Sequence, residues 1–167
     1  RRSSGMPAEG RIIEINGPVV KGRGLSYAAI GEQVLVGDAR LPGEVIRASE
    51  DTAVIQVYED TTGLLTGDRI DATGEPLSVE LGPGLIGSIY DGLQRPLSVM
   101  AQESPFIQRG RGEKPLSRSR RWRFVPSVKE GYDIEEGAVL GTVRETEAFT
   151  HRVMSIGGGG TVTWIAE

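Results

Sequence analysis

Cysteine is absent from this 167-residue chain, and histidine occurs once, as His151. Without cysteine neither a disulfide framework nor a thiolate zinc site can form. One histidine excludes a multi-histidine metal cluster and argues against a histidine-based catalytic triad. Aromatic residues make up only 5% of the chain, so any core must be aliphatic. No apolar run approaches the roughly 20 residues that a membrane helix needs. The opening Arg1-Arg2-Ser3-Ser4-Gly5 lacks the apolar stretch of a secretory signal. These absences lead us to expect a soluble, cytoplasmic protein. Lysine is also scarce: Lys21, Lys114 and Lys129 are the only three, and none precedes Ser or Thr. The phosphate loop G-x-x-x-x-G-K-[ST], whose amides, lysine and hydroxyl hold phosphates and magnesium, is therefore missing from these residues.

Glycine is abundant, with 24 residues against 9 prolines, which points to a turn-rich chain. The net charge of −4 hides an asymmetry. Residues 1–97 carry 9 basic and 14 acidic side chains, whereas residues 98–167 carry 10 and 9. Most of the basic charge of the second part lies between Arg109 and Arg123. A boundary near residue 97 follows.

The first part reads as short strands. Gly10–Ile15 ends at the turn signal Asn16-Gly17-Pro18. Val19–Lys21, Gln33–Val36 and Gly43–Arg47 follow between glycine or acidic turns. Thr52–Tyr58 is the best strand, rich in β-branched residues with alternating apolar positions. Turns every 8–12 residues predict a small all-β barrel or sandwich. Beyond Gly82-Pro83-Gly84, the spacing of Leu85, Ile86, Ile89, Tyr90 and Leu93 predicts a short amphipathic helix limited by Pro96. Residues 98–123 read as a polar, basic loop. Strands return over 124–167, at Val139–Val143, His151–Met154 and Thr161–Ile165.

Several phrases of residues 10–97 occur together and in order: Asn16-Gly17-Pro18-Val19-Val20, Leu41-Pro42-Gly43-Glu44-Val45-Ile46-Arg47, Gln56-Val57-Tyr58-Glu59-Asp60-Thr61-Thr62-Gly63-Leu64, Pro76-Leu77-Ser78-Val79-Glu80-Leu81-Gly82-Pro83-Gly84 and Ile89-Tyr90-Asp91-Gly92-Leu93-Gln94-Arg95-Pro96-Leu97. This string closely resembles the N-terminal part of the catalytic A subunit of V-type and archaeal-type rotary ATPases. Trp122–Gly131, Leu140–Thr146 and His151–Met154 look like the insertion of that family, its bulge or non-homologous region.

The resemblance implies a mainly β fold. A six-stranded-type barrel is expected over 8–76, a linker with a short helix over 77–97, and a β-rich bulge resembling a barrel-sandwich hybrid over 98–167. It implies an N-terminal piece of a proton- or sodium-translocating ATPase or ATP synthase, cytoplasmic and peripheral to the membrane. The parent would use Mg-ATP in a motor domain. These residues, lacking the phosphate loop, would be non-catalytic and would hold no cofactor or metal. The implied partners are B subunits around the head, through the barrel, and peripheral stalk subunits, through the bulge. The membrane would be reached only through the complex, and the chain alone would be monomeric.

The interface candidates follow from this frame. Arg109, Arg111, Arg118, Arg120 and Arg121, with Trp122, form a basic run that could meet nucleic-acid phosphates. No RNA-binding motif accompanies them, and docking on a partner protein or on the chain's own domain is the favoured reading. Asp91, Gln94 and Arg95 are expected to anchor the linker against the motor domain. Gly157–Gly160 is followed by neither lysine nor a helix pattern and reads as a flexible turn. Residues 128–165 also look like a lipoyl or biotinyl carrier. A carrier needs a lysine at its hairpin tip, where this chain has Glu147-Ala148.

Overall fold

The turn signals separate six strands in the first part of the chain: β1 (Glu9–Asn16), β2 (Val19–Arg23), β3 (Glu32–Val36), β4 (Leu41–Ser49), β5 (Thr52–Val57) and β6 (Arg69–Pro76). They come from a computed structural model that describes residues 9–103, 109, 110, 112 and 114–166. Alternation decides which side chains face inward. Val34 and Val36 on β3, and Ala53, Ile55 and Val57 on β5, are buried at every second position. All pairings are antiparallel in the order β1-β2-β5-β4-β3-β6, and Gly10↔Ile70 joins β1 to β6 to close the barrel. Closure leaves no free strand edge. The interior holds Ile12, Val20, Leu25, Leu41, Val45 and Ile70 beside the β3 and β5 residues. Strand β6 is only faintly marked by its pattern, because its inward apolar residues are just Ile70 and Ala72.

Two of the register shifts in the barrel fall at isoleucines. The β1–β2 register runs Ile12↔Gly22 and then Glu14↔Lys21, so Ile13 is an extra residue. The β4–β5 register runs Val45↔Ile55 and then Arg47↔Val54, so Ile46 is extra. A bulge residue leaves the alternation, and both isoleucines are exposed.

The barrel is narrow enough to require glycine on a strand. A Cβ on Gly22 would lie 2.5 Å from Ile70 Cδ1 and 2.9 Å from Leu25 Cδ1. Gly22→Ala is expected to cost about 1–3 kcal/mol through overpacking. Ile70→Val removes the clashing carbon, so the double variant should recover part of that loss. Urea midpoints of the four proteins check the coupling, and strict additivity would refute it.

The chain divides into two compact units, and the division differs from the expected 8–76, 77–97 and 98–167. Arg1–Val79 groups with Val99–Glu113, and Glu80–Ser98 groups with Lys114–Glu167. The physical reason is where the hydrogen bonds go: Gln94 binds the Glu80 backbone, and Arg109 binds the Asp60 and Thr62 carbonyls. The second unit contains β7 (Phe124–Pro126), β8 (Asp133–Ile134), β9 (Val139–Arg144), β10 (Thr150–Met154) and β11 (Gly160–Thr161). They form a three-stranded sheet, β10-β9-β7, and a two-stranded one, β11-β8. The last strand is shorter than the expected Thr161–Ile165, since its partner β8 is bracketed by turns at Gly131 (φ 82°) and Gly137 (φ 80°).

The helix expected over Leu85–Leu93 does not form. Gly84 and Gly87 take φ of 110° and 84°, outside the helical region. The Asp91 carboxylate captures the amides of Leu93 and Arg95, at 3.0 and 2.9 Å, and so competes with helical bonding. The helix of the region is α1 (Leu97–Glu103), within what the sequence presented as loop. Pro96 opens it rather than limiting one, because the first turn of a helix needs no proline N–H.

Candidate functional site

The linker residues singled out in the sequence build one self-contained loop. Tyr90 and Pro96 form an isolated antiparallel bridge, and Leu97 N–H donates to the Ile89 carbonyl at 3.0 Å. Within that bracket, Arg95 is buried and its Nε donates to Asp91 Oδ2 at 2.6 Å. Partial burial pushes the Asp91 carboxyl up. The Arg95 backbone and side-chain hydrogen bonds, the Leu93 N–H and the Arg95 charge outweigh it and hold Asp91 below its usual range. Gln94 stands at φ 58° and turns its amide onto one residue of the chain. Its Oε1 accepts from Glu80 N–H and its Nε2 donates to the Glu80 carbonyl, each at 2.7 Å. Asp91, Gln94 and Arg95 thus order the linker's own backbone within the second unit.

The basic run is divided between the two units. Arg109 belongs to the barrel unit: its guanidinium donates to the carbonyls of Asp60 (3.1 Å) and Thr62 (2.8 Å), on the loop after β5. Gly110 N–H donates to Glu59 Oε2 at 2.6 Å in the same loop. Hydrogen bonds from the Thr62 N–H and hydroxyl lower the Asp60 carboxyl; desolvation opposes them, and the Arg109 charge adds a lesser lowering. Arg118, in the second unit, pairs with Glu80. Arg120 stacks over the Trp122 ring, 4.0 Å from its centroid. Arg121 is exposed. Arg111 lies outside the described residues.

Glu145 escaped the sequence reading. It is buried, and its Oε1 accepts from the Gly84 and Ile86 amides at 2.6 and 3.0 Å. The signal that could have found it is period two: Gly141 and Val143 on β9 face inward, and Glu145 is the next position on that face. Glu32 escaped likewise. It begins the inward set of β3, and its carboxylate joins the Ala29 and Gly74 amides at 2.8 and 2.7 Å. Both are acids spent on backbone donors, which is structural work. At the β9–β10 hairpin tip stand exposed Glu147 and Ala148, with no amine for a carrier tether.

The Gly157–Gly160 run does not build a phosphate cradle. Gly157 (φ 85°) and Gly158 (φ 135°) lead through Gly159 into β11, not into a helix, and no lysine follows them. A phosphate cradle needs amides converging at a helix start and a cation beside them. Among the described residues no group of three or more His, Asp or Glu is placed to hold a metal ion, and no helix is long and apolar enough to cross a membrane.

Both units match known domains. Residues 12–74 match the beta-barrel domain of the ATP synthase alpha/beta family, and residues 113–167 match the barrel-sandwich domain of ATP synthase alpha/beta subunits. The chain belongs to the ATP synthase alpha/beta family. The first of these family domains coincides with β1–β6 and the second with β7–β11. The chain is 51% identical over 153 residues to the A subunit of the A-type ATP synthase from Hyperthermus butylicus, covering 89% of this chain and 26% of that protein. It is 51% identical over 147 residues to the namesake from Methanopyrus kandleri, covering 87% and 25%. It is 48% identical over 160 residues to the V-type ATP synthase alpha chain of Clostridium botulinum, covering 95% and 27%. The chain spans about a quarter of the length of these curated family members.

Proposed function

We propose that this chain serves in the catalytic A subunit of a proton- or sodium-translocating rotary ATPase or ATP synthase, as an assembly element and not as the catalytic one. The observation that carries this reading is the ordered pair of domains, barrel then barrel-sandwich, within one stretch of about 50% identity to A subunits and alpha chains. In this reading the barrel joins B subunits around the head. Having no strand edge, it would do so through side chains, and Tyr27 (91% exposed) and Ile30 (70%) on the β2–β3 connection offer apolar surface. The barrel-sandwich unit meets the peripheral stalk, with Arg120 and Arg121 among its exposed cations. ATP chemistry is assigned to a motor domain with a phosphate loop, which these residues do not supply.

Sedimentation of the chain mixed with the B subunits, or with the stalk subunits, of an A-type ATP synthase tests the reading. The chain alone is expected to be a monomer at micromolar concentration, and to associate in both mixtures. Tyr27→Ser with Ile30→Ser should weaken only the first association, and Arg120→Glu with Arg121→Glu only the second. Association with neither partner would overturn the assembly role. Calorimetry with Mg-ATP should show no saturable micromolar binding, and a clear isotherm would overturn the non-catalytic assignment.

A further inference from the structure

Asn16 is the sole asparagine of the chain, and glycine follows it. The pair Asn16↔Val19 closes a two-residue hairpin turn, Gly17-Pro18, between β1 and β2. Asn16, Gly17 and Pro18 are all exposed. Gly17 has φ 57°, and the space where its Cβ would stand is open, with no atom within 4 Å. In such a hairpin the ladder bonds run between the residues that flank the turn, so the Gly17 amide nitrogen lies outside the ladder. The Gly17 and Pro18 carbonyls accept from Thr61 Oγ1 and the Val57 N–H, each at 2.8 Å, but both bonds act on carbonyl oxygens, and no side chain on Gly17 shields its nitrogen.

We propose that Asn16-Gly17 is a modification site, where the folded chain deamidates spontaneously to a mixture of isoaspartate and aspartate. The Gly17 amide nitrogen, losing its proton to hydroxide or water, attacks Asn16 Cγ. A carbon–nitrogen bond closes a five-membered succinimide, and the side-chain amide nitrogen leaves as ammonia. Water then opens the ring at either carbonyl. Opening at the main-chain carbonyl gives isoaspartate, and opening at the side-chain carbonyl gives aspartate. The balance is one water consumed and one ammonia released, with no oxidant or cofactor.

The same dipeptide chemistry is available to Asp91-Gly92, and the fold closes it there. The Asp91 carboxylate is bound by the Leu93 N–H, the Arg95 N–H and the Arg95 Nε. It is held as a carboxylate, a poor electrophile, in fixed geometry. The two sites therefore make an internal comparison in which sequence favours both and structure permits one.

Isoaspartate would route the main chain through Cβ and lengthen the two-residue turn by one atom. The contact at risk is the hydrogen bond that Thr61 Oγ1 donates to the Gly17 carbonyl, at 2.8 Å. Thr61 lies between Asp60 and Thr62, whose carbonyls receive Arg109. Reaction at the hairpin tip would thus loosen the loop that holds the basic segment to the barrel.

The full chain, aged at neutral and at alkaline pH and then mapped by peptide mass spectrometry, tests this. Isoaspartyl methyltransferase labelling identifies the product, and a urea-unfolded sample supplies the reference rate. The folded chain should react at Asn16 within about tenfold of the unfolded one, because hairpin tips open at little cost. The rate should rise with pH, and Asn16→Ser should abolish the label. Asp91-Gly92 should isomerise only in the unfolded sample. Hydrogen exchange at 60–62 should be faster in the aged protein than in Asn16→Asp, which carries the charge without the extra backbone atom. Reaction at Asn16 more than about tenfold slower than in the unfolded chain would mean that the turn is closed, and would overturn the proposal.

Discussion

Asp91→Ala is expected to destabilise the unit formed by Glu80–Ser98 and Lys114–Glu167 by about 3 kcal/mol, the usual cost of removing one partner of a buried ion pair. The Arg95 and Asp91 side chains are only 10% and 19% exposed. The variant also strips the Leu93 and Arg95 amides of their acceptor. Both tryptophans of the chain, Trp122 and Trp164, lie in this unit, so urea unfolding followed by tryptophan fluorescence reports on it. Asp91→Asn keeps one acceptor oxygen and should lose less. Acid should act in the same direction. The folded-state pKa of Asp91 lies below its unfolded value of about 3.9, so its stabilisation is complete above that value and lost as pH falls through the folded one. Fluorescence-detected stability should therefore fall less steeply below pH 4 in Asp91→Asn than in the parent. An identical acid profile in the two proteins would remove Asp91 from the account.

Ile55→Ala should cost the barrel about 3 kcal/mol, within the range for removing a fully buried isoleucine side chain. Ile55 is 0% exposed and pairs with Val20 on β2 and Val45 on β4, both also buried. The barrel strands contain no tryptophan, so far-UV circular dichroism or hydrogen exchange of the β2, β4 and β5 amides is the measurement. Ile46→Ala is the matched control. Ile46 is 48% exposed at its bulge, and its truncation should cost within about 0.5 kcal/mol, the range of ordinary surface substitutions. Equal losses at the two positions would mean that Ile46 packs inward and that the bulge is misplaced.

Much of the barrel was legible in the chain. Thr52–Val57 alternates strictly, Asn16-Gly17-Pro18 and Gly37-Asp38 stop their strands, and each signal is local: a period of two and a residue that tolerates the turn. The ordered phrases from Asn16 to Leu97 also carried the family, which the domain matches bear out. Local pattern misled over Leu85–Leu93. Helical spacing was real there, but Gly87 and the Asp91 carboxylate offered the backbone a turn instead, and a helix that short has little cooperativity with which to resist.

By itself the sequence determined an aliphatic, turn-rich β chain, without disulfides, thiolate metal sites or a phosphate loop. It did so because composition and short-range periodicity fix what each segment can bury and what chemistry its side chains can perform. Only the tertiary structure decided which of two adjacent isoleucines faces the core, that Glu32 and Glu145 hold backbone amides, and that the basic run is shared between two units. Bulges depend on the register of the partner strand, and a buried acid depends on donors brought up from 42 or 61 residues away. Those pairings are set by closing long loops, and no window of sequence contains both sides of them.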